Sequence, residues 1–416
     1  PTSAQLEALD PDDPEGAWAV AFSPAVVHPE LADGDRLAAT RVPAARGQVL
    51  GRDGAALVAD APVVEVGVQP SRATDVPALA ARLAEVVDVD AAALTERITA
   101  ASPDAFVPVI TLRRSDYDPV RDQLQPLPGT VFRESTRPLA PTRDFARALL
   151  GTVGAASEEV VEASEGRVLA GDTTGLSGLQ REYDAQLAGT PGTSVTLVRA
   201  PEPGASEDAE PVGEELHAVP PADGADLQLS LDARVQQAAD AALAGAVAAG
   251  AAGNGSASLV AVDVPTGDVL AVANTPSSGS NRALTGQYPP GSTFKAVSTL
   301  ALLGTGLTPQ EVVGCPPTAT VDGRSFRNFE GGAAGDVPFA VDFAQSCNTA
   351  FVSLSGRLDA AALAAAGADV GLGGTWSLGT GAFTGSVPAG GSAVEVAAAT
   401  IGQGEVLASP VAMAAV

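Results

Sequence analysis

The sequence predicts a multidomain α+β protein, and three observations carry this. At 416 residues the chain is sized for two or three domains. Apolar residues alternate in some segments and recur at helical spacing in others, so strands and helices are mixed along the chain. A stretch at 201–225 carries five prolines, several acids and little apolar periodicity. That is the composition of a linker or exposed loop between folded parts.

The elements follow in order. Residues 1–34 are acidic and turn-rich, with Trp18 and Phe22 as the main apolar anchors, and read as the tail of something upstream. Val63 to Val68 is rich in β-branched residues and reads as a strand. Val76 to Val87 places Leu79, Leu83 and Val86 at helical spacing. Val195 to Val198 is a short strand. Beyond the linker, Leu227, Leu229 and Leu231 alternate with polar residues, again a short strand. The Ala-rich run from about Ala233 to Ala249 reads as a plain packing helix. Ser258–Asp263 and Asp268–Asn274 are apolar runs joined by Val264-Pro-Thr-Gly267, a hairpin signal. Pro289-Pro290-Gly291 then breaks structure. Ser292 opens a run that is apolar nearly all round, through Phe294, Val297 and Leu300 to Leu303, and Gly304 ends it. Such a helix is expected to be buried.

Composition narrows the function. The chain is 45% apolar, enough for ordinary cores, and its net charge is −27. That charge argues against nucleic acid or an anionic membrane surface as the main partner. No stretch is long and apolar enough to span a bilayer. The chain opens on Pro-Thr-Ser, so it reads as a fragment or processed product. Cys315 and Cys347 lie in no Cys-x-x-Cys pair, so a zinc site is not expected, nor is any cofactor. His28 precedes a proline and His217 lies in the linker. Both read as surface residues, and a Ser-His-Asp triad is not favoured.

One residue stands out chemically. Lys295 is the only lysine; every other cationic side chain is an arginine. An ammonium can lose its proton when desolvated, and a guanidinium effectively cannot. Ser292 and Lys295 are i and i+3, on one helix face. A Ser at a helix N-terminus sits where a developing oxyanion is favoured. A buried lysine beside it has its pKa lowered and can take its proton. The plain alternative is an N-cap Ser with a Lys that snorkels to solvent. Further on, Ser346-Cys347-Asn348 places a Ser and an Asn two apart on a loop, able to point the same way while Cys347 points inward. The plain alternative there is a helix-capping pair.

Together, Ser292-x-x-Lys295 and Ser346-x-Asn348 resemble the first two motifs of the penicillin-binding proteins and serine β-lactamases, a motif set that is well described. The likeness extends along the chain. Ala261 to Ala273 resembles the first hairpin of a transpeptidase domain. Asp226 to Asp232 with Val235-Gln236 resembles the entry to that domain, and Ile401-Gly-Gln-Gly404 with Ser409-Pro410 a segment on the far side of the active site. Upstream, Ala45-Arg-Gly47 with Arg52-Asp-Gly54 resembles the start of the class B pedestal domain, and Gly178 to Asp184 with Leu187-Ala-Gly189 its end. Val26 to Leu31 with Gly34-Asp35 resembles the exit from an NTF2-like domain. Gly51 and Gln180 stand where family members usually carry acids.

The resemblance implies an elongated pedestal or dimerisation domain at 35–222 and a β-lactamase-like transpeptidase domain at 223–416, preceded at 1–34 by the tail of an NTF2-like domain. It implies Ser292 as nucleophile, Lys295 as general base, Ser346 as proton relay, and Asn348 as a ligand of both Lys295 and the substrate amide. The implied partners are peptidoglycan stem peptides, β-lactams and a cell-division or elongation glycosyltransferase. The implied place is outside the cytoplasm, on an N-terminal membrane anchor that this chain lacks. The third family motif, Lys-Thr-Gly, is not found before Val416, so a chain cut short at its C-terminus is expected, with an open sheet edge and without activity on its own. A β-lactam sensor or β-lactamase, or a non-catalytic cell-wall scaffold, are the other readings. Cys315 and Cys347 are either a disulfide or two buried thiols.

Overall fold

A computed structural model describes residues 4–8, 17–200, 213–251 and 255–416. The chain forms two compact units, one from 1–48 with 183–227 and one from 49–182 with 228–416.

The first unit is built on a three-stranded antiparallel sheet. Gly192–Val198 is its centre, flanked by Arg36–Val42 and Gly213–Val219. The last strand lies inside the stretch that composition marks as linker. It escapes a periodicity reading because it is an edge strand, and of its side chains only Leu216 is even partly buried. Residues 201–212 of the expected linker lie outside the described residues. A separate hairpin pairs Gln5–Ala8 with Trp18–Ala21. Trp18 is 53% exposed and Phe22 78%, so neither anchors a core as expected. A lone two-stranded ribbon has no second layer against which to bury a face.

In the second unit, residues 49–182 centre on the long strand Ala56–Val68. It pairs with Val107–Arg113 on one side and Thr130–Leu139 on the other. Helices Val76–Val87 and Ala91–Ala100 cover it, burying Leu79, Leu83, Leu94 and Ile98 against Val64, Val66 and Val68. The first helix has the predicted bounds because its ends are local. Asp75 accepts a hydrogen bond from the Ala78 N–H, and Asp88 ends the helix in the left-handed region.

Residues 228–416 of this unit begin with the helix Ala233–Ala248, packed on the antiparallel hairpin Ala257–Val262 and Val269–Thr275. The predicted strand over Leu227 to Leu231 is only two residues long, Leu227–Gln228, although Leu227 and Leu231 both point inward. The main core joins the helix Lys295–Gly304 to helices Asn348–Leu354, Ala360–Asp369 and Ala393–Ala399. Two small hairpins sit beside it, Val312–Cys315 with Gly335–Pro338 and Thr318–Val321 with Arg324–Arg327.

Candidate active site

Ser292 sits on a 3₁₀ turn, Gly291–Phe294, that runs directly into the helix Lys295–Gly304. In 3₁₀ geometry side chains at i and i+3 eclipse, which aligns Ser292 with Lys295. Pro289 and Pro290 lead into the turn, and Gly291 takes φ +57°, a conformation that side-chain-bearing residues seldom adopt. Its N–H donates to the Gly402 carbonyl at 2.9 Å. A Cβ on Gly402 would lie 2.1 Å from the Gly291 oxygen, so the Ile401–Gly404 segment packs directly on the turn that carries Ser292. The Ser298 hydroxyl, donating to the Thr400 carbonyl at 2.8 Å, ties the two together again.

The helix is not buried all round, as its sequence led us to expect. Phe294, Val297 and Leu302 face the core, while Leu300 and Leu303 are about two-fifths exposed. The core reaches one side of the helix, and isolated surface leucines cost little.

Lys295 is 2% exposed. Its Nζ donates to the Ser346 carbonyl at 2.7 Å, the Ser346 hydroxyl at 3.0 Å and the Asn348 Oδ1 at 2.6 Å. The side chain therefore does not snorkel. Among the described residues no carboxylate pairs with it, and burial lowers its pKa to about 8. All three donors of the ammonium are occupied. The Ser292 hydroxyl is exposed and forms no hydrogen bond to Lys295 in this structure. When Lys295 is neutral, its lone pair replaces one donor, and the Ser346 hydroxyl can then donate to it.

Ser346 and Asn348 flank the entry to the helix Asn348–Leu354. Ser346 holds φ +58°, kept there by its own N–H to Phe343 and by the Cys347 N–H to the Asp342 carbonyl. Neither residue caps the helix. That role falls to Cys347, whose sulfur accepts from the Ala350 N–H at 3.3 Å. Both polar side chains are thus free to meet Lys295. Cys347 is bonded to Cys315, so the two cysteines form the disulfide, not two thiols. The bond ties the strand Val312–Cys315 to the Ser-x-Asn loop.

Asp342 lies within 4.8 Å of both sulfurs. It is fully buried, burial raises its pKa to about 6, and its carboxylate oxygens have no hydrogen-bond partner among the described residues. With the sulfurs joined to each other, Asp342 alone keeps a donor atom, so this group is no metal-ligand set in the disulfide form.

Sequence reasoning missed Asn328 and Thr349. Asn328 Oδ1 accepts from the Thr349 N–H at 3.0 Å, and its Nδ2 reaches Thr349 Oγ1 at 3.1 Å. A single Asn before Phe329-Glu-Gly-Gly332 signals a turn in sequence and nothing more.

A serine on a turn, a buried lysine three residues on and a Ser-x-Asn loop converging on its head form the motif arrangement of the serine acyl-transfer class that contains penicillin-binding enzymes. Comparison with known families agrees. The penicillin-binding protein dimerisation domain matches residues 41–229, and the penicillin-binding protein transpeptidase domain matches residues 257–416. The chain belongs to the class B penicillin-binding proteins, with a dimerisation domain followed by a transpeptidase domain. It is 28% identical over 314 residues to peptidoglycan D,D-transpeptidase FtsI of Escherichia coli K12, covering 71% of this chain and 49% of that protein. It is 31% identical over 172 residues to PbpA of Mycobacterium tuberculosis, 34% of each. It is 24% identical over 358 residues to MrdA of Acinetobacter baumannii, 78% of this chain and 51% of that protein. The chain thus spans about half, or less, of the length of these relatives.

Proposed function

We propose that this chain carries the acyl-transfer machinery of a peptidoglycan D,D-transpeptidase. The observation that carries the reading is the Lys295 head, desolvated, paired with no acid among the described residues and held by both polar residues of the Ser-x-Asn loop. Ser292 Oγ attacks the carbonyl of the penultimate D-Ala of a stem peptide while its proton passes to the neutral Lys295 amine. The tetrahedral intermediate collapses, the C–N bond to the terminal D-Ala breaks, and the leaving nitrogen takes a proton relayed through Ser346 from the Lys295 ammonium. Asn348 holds Lys295 and donates to or accepts from the substrate amide. An amine of a neighbouring stem then attacks the Ser292 ester, forms the cross-link and frees the serine. A β-lactam follows the first half of this path and stays on Ser292.

In this reading residues 223–416 do the chemistry and 35–222 form the pedestal, with 1–34 the tail of an upstream NTF2-like domain. The site faces the cell wall, outside the cytoplasm, beside a glycosyltransferase that polymerises the glycan strands. No helix among the described residues is long and apolar enough to cross a membrane, so the anchor in this proposal lies elsewhere.

Fluorescent penicillin, offered to a full-length protein that carries the third motif, tests it. The expected result is one label per protein, none on Ser292→Ala, and release that takes hours. Release within seconds makes the protein a β-lactamase, and an unlabelled wild-type protein returns it to the scaffold reading.

A further inference from the structure

The Asn348 carboxamide has two ends, and the chemistry above needs the oxygen to face Lys295. The nitrogen end decides this. Asn348 Nδ2 donates to the Arg327 carbonyl at 3.1 Å, which leaves Oδ1 aimed at Nζ 2.6 Å away. The orientation of Asn348 is therefore set by where the Arg327 carbonyl sits, at the end of the strand Arg324–Arg327.

The next residue, Asn328, fixes that position. The residue is 7% exposed, and its amide is held by protein groups. Nδ2 shares its hydrogens among the carbonyls of Pro316 at 3.0 Å and Gly332 at 2.7 Å and Thr349 Oγ1 at 3.1 Å. Oδ1 accepts from the Thr349 N–H at 3.0 Å. The Thr349 hydroxyl in turn donates to the Pro316 carbonyl at 2.7 Å. One amide thus binds the strand carrying Arg327 to the backbone of the residue that follows Asn348. A carboxylate there would face two carbonyl oxygens, and an alanine would leave several buried polar groups unpaired.

We infer that Asn328 is a positioning residue of the acyl-transfer site, holding the Arg327 carbonyl and the Thr349 backbone so that Asn348 presents its oxygen to Lys295. It touches neither Lys295 nor Ser292. This deepens the proposed function and rests on it for its kinetic part alone.

Two measurements test it, the first on a full-length protein that carries the third motif and the second on residues 1–416. The first follows acylation by fluorescent penicillin in wild type, Asn328→Ala, Asn328→Asp, Thr349→Val and Thr349→Ser. The expected result is an acylation rate constant about 10- to 100-fold lower for both Asn328 variants. The final labelled fraction stays near wild type, and so does the constant for the preceding complex. Thr349→Val slows the reaction less, and Thr349→Ser, which keeps the hydroxyl, restores it. A purely structural role would instead lower the labelled fraction and leave the rate of the rest unchanged.

The second measurement needs no activity. Because Lys295 is the only lysine, ¹³C-lysine labelling gives one ε-methylene signal to titrate. Loss of the Asn348 acceptor disfavours the ammonium, so the midpoint moves to lower pH in Asn328→Ala and Thr349→Val. Asp342, Arg324 and Arg327 on the neighbouring elements are not among the hydrogen-bond partners of Lys295 Nζ, which are Ser346 and Asn348, and the variants leave them in place. Unchanged midpoints in folded variants overturn the inference. A wild-type protein that refuses penicillin overturns the proposed function instead, and the titration still decides on Asn328. If Asn328→Ala does not fold, Thr349→Val and Thr349→Ser carry both measurements.

Discussion

Lys295 is where residue chemistry and function meet. An arginine in its place keeps the charge, but its guanidinium cannot give up the proton at any pH the protein survives. Its planar fork also fits poorly among three acceptors arranged around one ammonium. Lys295→Arg is expected to slow penicillin acylation by about 10³-fold or more, and normal labelling of that variant would refute the role of general base. The pKa of about 8 adds a pH signature. In the proposed mechanism only the neutral amine accepts the Ser292 proton, so the acylation rate should climb about tenfold per pH unit below 8 and level off above it. Stability carries the same sign. The folded value lies below the unfolded 10.5, so between pH 8 and 10.5 the unfolded chain holds more protons and stability rises with pH. Lys295→Met should lack that rise in thermal-midpoint measurements. Ser292, Lys295, Ser346 and Asn348 were legible because short spacings place them on one turn or one loop. Asn328 was not, since its partners at 316, 332 and 349 come together only in the fold.

At the scale of elements, legibility follows locality in the same way. The helix Val76–Val87 carries its stop signals beside it, and its bounds were plain. The strand Gly213–Val219 has its partner in Gly192–Val198 and shows an exposed, patternless sequence. The helix Ala233–Ala248 was read correctly as an element and too simply as packing. Its buried Gln236 reaches the strand Val269–Thr275 and acts as a substitute neighbour. Nε2 donates to the Val272 carbonyl at 3.1 Å, and Oε1 accepts from the Val272 N–H at 2.8 Å. The Asp232 N–H and Ser230 hydroxyl occupy the Leu270 and Val269 carbonyls nearby. This edge of the hairpin is closed by side chains and a helix start instead of another strand. Gln236→Leu keeps the packing volume and strands two buried backbone groups. It should cost about 2–4 kcal/mol, read as a lower urea midpoint at unchanged slope; a loss under about 0.5 kcal/mol would mean water or relaxation replaces both bonds.

At the scale of the molecule, the opposite edge of the hairpin and the net charge act against each other. Val272 directs its N–H and C=O to Gln236 and stands opposite Val260. In an antiparallel ladder both members of such a pair point their backbone groups away from each other. The N–H and C=O of Val260 therefore face outward, and they find no strand partner among the described residues. An open apolar edge of this kind templates pairing with another chain. A net charge of −27 keeps copies apart at long range, and salt removes that protection as the Debye length falls from about 10 Å at 0.1 M to about 3 Å at 1 M. The chain should therefore sediment as a monomer at low salt and associate as salt and concentration rise. Val260→Pro removes the outward N–H while sparing the internal ladder, and should stay monomeric throughout. Wild-type protein that remains monomeric in 1 M salt at high concentration, or a Val260→Pro variant that associates equally well, would show that this edge does not govern assembly.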